Sequence, residues 1–71
     1  MQHHTPVSGV LPGPQRVVLL NASPFDADRV VVRDRVAYCS GCSHTVNGSH
    51  RVPEPDRVIP MHQIQQIRAR Q

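Results

Sequence analysis

The chain of 71 residues predicts one small, mainly β domain: an SH3-like barrel or a curled antiparallel sheet, closed by a short C-terminal helix or strand. Three observations lead there. Arg29 to Cys39, RVVVRDRVAYC, alternates with the two-residue period of a half-buried strand. Asn47-Gly48 is the dipeptide that tight hairpins favour, because both central positions of such a turn need positive φ. Clusters of Pro, Asp and Ser cut the remainder into short apolar runs, and no long helical period survives between them.

Residues 1–15 carry three of the seven prolines and no apolar period, which predicts a loose tail ahead of a domain spanning 16–71. Arg16 to Asn21, RVVLLN, is apolar at four successive positions and reads as a central strand covered on both sides. Ala22 to Asp28 has turn chemistry. Taken as one extended strand, Arg29 to Cys39 sends Val30, Val32, Val36 and Tyr38 to the core, and Arg29, Arg33 and Arg35 to water. A bulge near Asp34, or a hairpin turning around Arg33-Asp34-Arg35, would change the strand count and is expected to leave the same side chains inside. If the next turn is centred on Asn47-Gly48, Val46 faces Ser49, Thr45 faces His50 and His44 faces Arg51. Arg57 to Met61 resumes an extended run that Pro60 confines to an edge or an end. Beyond it, Met61, Ile64 and Ile67 at three-residue spacing suit a short amphipathic helix, and a tight turn at Met61-His62 into a last strand is the alternative.

Size limits what such a chain can do. A domain this short buries only about 60% of its unfolded surface, while ordering it costs on the order of 100 kcal/mol of conformational entropy. With one Phe, one Tyr and no Trp, a metal, a disulfide or a second copy of the chain would help to hold it. No apolar run is long enough to span a membrane and no leader precedes the domain, so a cytoplasmic protein is expected, with reduced cysteines. All eight basic residues besides histidine are Arg, and Val occurs eleven times. A GC-rich genome, such as that of an actinobacterium or its phage, imposes that bias on any protein. The formal charge of +3 favours an anionic partner mildly.

Cys39-Ser-Gly-Cys42 is half of a zinc site, since the turn lets two thiolates converge on one ion. In a regular Asn-Gly hairpin His44 shares a face with Cys42, and His50 lies on the other. The expected ligand set is therefore Cys39, Cys42 and His44, completed by His50, His62 or a tail histidine, or by pooling two chains. No cofactor is the default, and zinc at this loop is the alternative. A thioredoxin-type role would need a helix after the second cysteine, where turn residues follow instead. No phosphate-cradling glycine loop or nucleophile elbow occurs, so no enzyme is expected. Arg29, Arg33 and Arg35 form a stripe that a phosphate backbone could use. With Tyr38 turned inward, that stripe lacks a surface on which bases could stack.

Arg57 to Ile67, RVIPMHQIQQI, resembles the C-terminal IPxHxIxxI signature of a small β-rich domain of archaeal and eukaryotic proteins proposed to recognise RNA ends. The resemblance implies that His62 lies near the ligand; that family usually has Arg where this chain has Gln63. Two functions are accordingly expected. One is binding of RNA, a nucleotide or another phosphate-bearing ligand through Arg29, Arg33, Arg35 and His62. The other is a small regulator, phage-encoded in one version, that docks on a host protein or on a second copy of itself.

Overall fold

The computed structural model describes residues 9–70. Nine strands form two antiparallel sheets: β1 (Gly9–Leu11), β4 (Arg29–Arg33), β5 (Val36–Ser40) and β8 (Arg57–Pro60) in the order β1-β4-β5-β8, and β2 (Gln15–Leu19), β3 (Phe25–Ala27), β6 (Ser43–Val46), β7 (His50–Pro53) and β9 (Ile64–Ala69) in the order β7-β6-β3-β2-β9. The mainly β expectation holds. Hydrogen bonding closes neither sheet into a ring, and no helix among the described residues is long and apolar enough to cross a membrane. The inner faces share one core: Val17, Phe25 and Ala27 from the five-stranded sheet, Val30, Val32, Ala37 and Cys39 from the four-stranded one, with Cys42 between them.

From Gly9 onward the expected loose tail is ordered. Gly9–Leu11 pairs with β4, Val10 opposite Val31, and Gln15 is already buried at the start of β2, its Nε2 donating to the Pro12 carbonyl at 3.1 Å. His3 and His4 lie outside the described residues. The long strand is a hairpin. Asp34 and Arg35 both take positive φ, 53° and 64°, the pair that a two-residue mirror-image turn demands.

That turn corrects the inward face. Partners across it are Arg33 with Val36, Val32 with Ala37, Val31 with Tyr38 and Val30 with Cys39. Paired residues share a face, and each pair joins an even position to an odd one, so the parity that points inward reverses at the turn. Val30 and Val32 are buried as expected, but Ala37 and Cys39 join them, and Val36 and Tyr38 face outward, Tyr38 with 41% of its surface exposed.

The second hairpin also differs by one residue. Its loop is Asn47-Gly48-Ser49, so Val46 pairs with His50, Thr45 with Arg51 and His44 with Val52. His44 and His50 therefore lie on one face of the hairpin, not on opposite faces.

At the C-terminus a single 3-10 turn, Met61–Gln63, leads into β9 in place of an amphipathic helix. β9 pairs with β2, and the register slips between Val18 and Leu19: Val17 faces Ile67, Val18 faces Gln66, Leu19 faces Ile64. Gln65 is the extra residue of a bulge. Without it Ile64 and Ile67 would point to opposite faces; with it both pack on the core, so a bulged strand carries a helix-like three-residue spacing. Pro60 ends β8, which is an edge strand, as its missing N–H requires.

The chain crosses between sheets at Asp28 and again at Gly41, and these corners touch. Asp28 N–H is shared by the carbonyls of Ser40 and Gly41 at 3.0 and 3.2 Å. A Cβ on Gly41, whose φ is +63°, would sit 2.6 Å from Asp28 Oδ2, so both backbone conformation and space call for glycine here.

Candidate functional site

The outer face of the four-stranded sheet carries a continuous row, Val10, Val31, Tyr38 and Val58, one residue from each strand. Val10, Tyr38 and Val58 are 49%, 41% and 61% exposed, an apolar band in open solvent. Arg29 and Arg33 flank Val31 on β4 at either side of that band. The Arg33 guanidinium lies over the Tyr38 ring, 5.9 Å from its centroid, at the outer limit of a cation–π contact. Arg35 is exposed at the hairpin tip. Its carbonyl accepts from Met61 N–H at 2.8 Å, which ties the 3-10 turn to the hairpin. His62, in that 3-10 turn, lines a separate cleft of about 470 Å³ with Leu19, Leu20, Asn21, Ala22 and Gln63. The structure thus gathers Arg29 and Arg33 on one face, puts Arg35 at its end, and gives His62 a neighbouring surface of its own.

Tyr38 is the residue that a single-strand reading misplaces. The signal for it was in the chain: an Asp34-Arg35 turn, once accepted, moves the tyrosine outward by parity alone.

The cysteine loop behaves differently from a metal half-site. Cys39 and Cys42 are free and buried, and Cys42 Sγ donates to the Cys39 carbonyl at 3.4 Å. His44 does not join them. Its Nδ1 meets Glu54 Oε2, and among the described residues no three His, Cys, Asp or Glu side chains are grouped to hold a metal ion. Within one chain the set Cys39, Cys42 and His44 does not fit a tetrahedral site. Burial, and then the neighbouring Cys42, push the Cys39 thiol up to about 11, against the lowering effect of Arg57; burial also raises Cys42. Both stay protonated at neutral pH, which makes them poor nucleophiles.

A pH dependence follows, with its sign set by the raised value. Unfolded Cys39 ionises near 9.0 and folded Cys39 near 11, so its contribution to stability is complete below pH 9 and is lost as the pH climbs to 11. Denaturation midpoints measured across that window should fall in the native protein and fall less in Cys39→Ala. Equal slopes in the two would show that the thiol is not what titrates.

β3 and β6 share a single pair, Asp26 with Ser43, and then splay. The gap is a cleft of about 510 Å³ between Ser23–Phe25 and His44–Thr45, floored by Glu54 and Arg57. The Arg57 guanidinium covers the Phe25 ring at 4.3 Å from its centroid. Its Nη2 lies 2.9 Å from Glu54 Oε1, yet no donor is aligned for a hydrogen bond to that buried oxygen. We read this as a Coulombic contact: the separation is short, the angle is poor, and Oε2 is taken by His44.

Four arginines that are distant in sequence meet on the outer face of the five-stranded sheet. Arg68, Arg16, Asp26 and Ser43 form one cross-strand row over β9, β2, β3 and β6. Asp26, with a side chain 3% exposed, has Arg16 Nε at 3.1 Å, Arg70 Nε at 3.7 Å and Arg51 Nη2 at 3.9 Å. No local spacing in the sequence announces this convergence, because it depends on distant pairings such as that of Arg16 with Arg68. No family model, curated protein or solved structure matches the chain.

Proposed function

We propose that the protein is a non-catalytic module that binds single-stranded RNA, a nucleotide or another phosphate-bearing ligand on the outer face of the four-stranded sheet. The observation that carries this reading is the outward Tyr38, with Arg33 over its ring and Arg29 two positions along the same strand face. Single strands are held by a π-surface for bases combined with cations for the backbone. Tyr38 supplies the first, with Val31 and Val58 extending it; Arg29, Arg33 and the hairpin-tip Arg35 supply the second. The likeness of Arg57–Ile67 to an RNA-end-recognition signature supports a ligand that reaches His62 around the tip. An SH3-like barrel is the finer fold we infer, supported by the chain's repeated passage between sheets through Asp28, Gly41 and the 3-10 turn. A cytoplasmic setting agrees with two free thiols.

A second reading rests on the same row. Val10 and Val58 are more exposed than Tyr38, and an apolar band of this kind also suits a regulator, phage-encoded or not, that docks on a host protein or on a second copy. Titration of a short labelled single-stranded RNA at rising salt separates the two. Backbone binding weakens steeply with ionic strength, whereas apolar docking hardly responds. Failure to bind RNA or nucleotide at low salt overturns the first reading.

Zinc would enter this picture only as a bridge between two chains, and only if Cys39 and Cys42, both buried in the core, came to the surface to reach it. Elemental analysis of protein purified without chelator should then return one zinc per dimer. A negligible amount removes the metal from the account.

A further inference from the structure

We propose that the outer face of the five-stranded sheet holds a separate anion site, built by Arg16, Arg68 and Arg70, that takes a compact phosphate group. It does not depend on the reading of the Tyr38 face, which belongs to the other sheet.

The case rests on an imbalance of charge. Three guanidiniums stand around one carboxylate with Arg68 beside them as the cross-strand partner of Arg16, and only Arg16 reaches Asp26 at hydrogen-bond distance, 3.1 Å. Arg70 and Arg51 stand at 3.7 and 3.9 Å, attracted but not bonded to it. Arg51 donates instead to Ser43 Oγ at 3.2 Å, and Arg68 has no ion pair among the described residues. A buried aspartate needs one such partner to be satisfied; it does not need three.

Position explains why the excess acts at one point. Neighbouring strands lie about 4.8 Å apart, so the paired Arg16 and Arg68 stand side by side, with Arg70 two residues on, just past the end of β9. Arg16, Arg68, Ala69 and Arg70 line a cleft of about 280 Å³ there. Like charges this close repel one another, and the buried Asp26 relieves only part of that. Guanidinium forks match the oxygens of a phosphate bidentately. A phosphate dianion brings more charge and more acceptors than a carboxylate, and the convergence on one spot suits a compact group better than a long backbone track.

Asp26 is then an internal counter-ion that competes with the ligand, which gives the proposal an unusual sign. Inorganic phosphate and pyrophosphate are the probes, added at constant ionic strength and read by calorimetry and thermal shift. The native protein should bind saturably, and Arg68→Gln should weaken binding by about tenfold, the loss of one charge-assisted contact. Asp26→Asn should bind about tenfold more tightly, because it frees guanidiniums without changing shape. Absence of saturable binding, an Arg68→Gln affinity equal to native, or weaker binding by a folded Asp26→Asn would each overturn the site. If Asp26→Asn fails to fold, Arg68→Gln decides alone, since its side chain supports no buried group. A single-stranded oligonucleotide without a terminal phosphate, used as competitor, assigns the source: displacement of pyrophosphate points to backbone diesters, and no displacement to free phosphate compounds.

Discussion

Phe25→Ala is expected to cost about 3–5 kcal/mol, the usual penalty for emptying a buried aromatic site. Phe25 is the chain's one phenylalanine and is 3% exposed in a core otherwise made of valine, alanine and cysteine. Valines on short strands cannot collapse into a hole of that size, because each is pinned by its ladder. The ring also carries the Arg57 guanidinium at 4.3 Å, and Arg57 in turn stands against the partly buried Glu54. Truncation therefore removes packing and also exposes a charged pair to rearrangement. A domain of 71 residues holds about 4–11 kcal/mol in total at ordinary per-residue stability, so the variant should lie close to the unfolding threshold. Its Tm should fall by about 4–8 °C per kcal/mol lost. Thermal or urea denaturation reads this directly. A loss below about 1 kcal/mol, the scale of an ordinary substitution, would mean that the ring does not anchor the core.

Tyr38→Ala should do the reverse: little to stability and much to binding. Its ring lies on an exposed sheet face, where substitutions usually change stability by within about 0.5 kcal/mol. If a base stacks on it, alanine should cost about 1–3 kcal/mol of binding, a loss of about fivefold to a hundredfold or more. Tyr38→Phe should keep most of the affinity, because stacking uses the ring and not the hydroxyl. Arg29→Ala with Arg33→Ala tests the other half of the same surface. Each phosphate contact removed should flatten the slope of log affinity against log salt by about 0.7 for a single strand. Anisotropy with a labelled RNA measures all of these. Binding by Tyr38→Ala that equals native binding, with the native salt slope retained by the double arginine variant, would leave the face without a role in nucleic-acid recognition. Loss of a protein partner on Val58→Asp, with no response to salt, would favour the regulatory reading instead.

Several elements of this fold are legible in the residues alone. The Val30 and Val32 positions, the strand at Arg16 to Leu19, the edge strand ending at Pro60 and a reversal of the chain near Asn47-Gly48 all follow from local chemistry: alternation, the donor that proline lacks, and the residues that tolerate positive φ. The absence of any long apolar period is enough to predict a mainly β chain.

What local chemistry leaves open is decided by single-residue geometry and by distant pairing. Placing a two-residue turn at Asp34-Arg35 reverses the parity of everything after it, so Tyr38 moves from the expected core to the surface where it can serve a ligand. A loop of three residues at Asn47, in place of two, brings His44 and His50 to one face, and His44 then pairs with Glu54 and leaves the cysteines. The bulge at Gln65 lets a strand carry the spacing of a helix. The convergence of Arg16, Arg51 and Arg70 on Asp26, with Arg68 beside Arg16, exists only once β2, β3, β6, β7 and β9 lie side by side. The alternation of side chains sets which residues travel together on a strand face. Register, which only tertiary pairing supplies, sets where that face points and whom it meets.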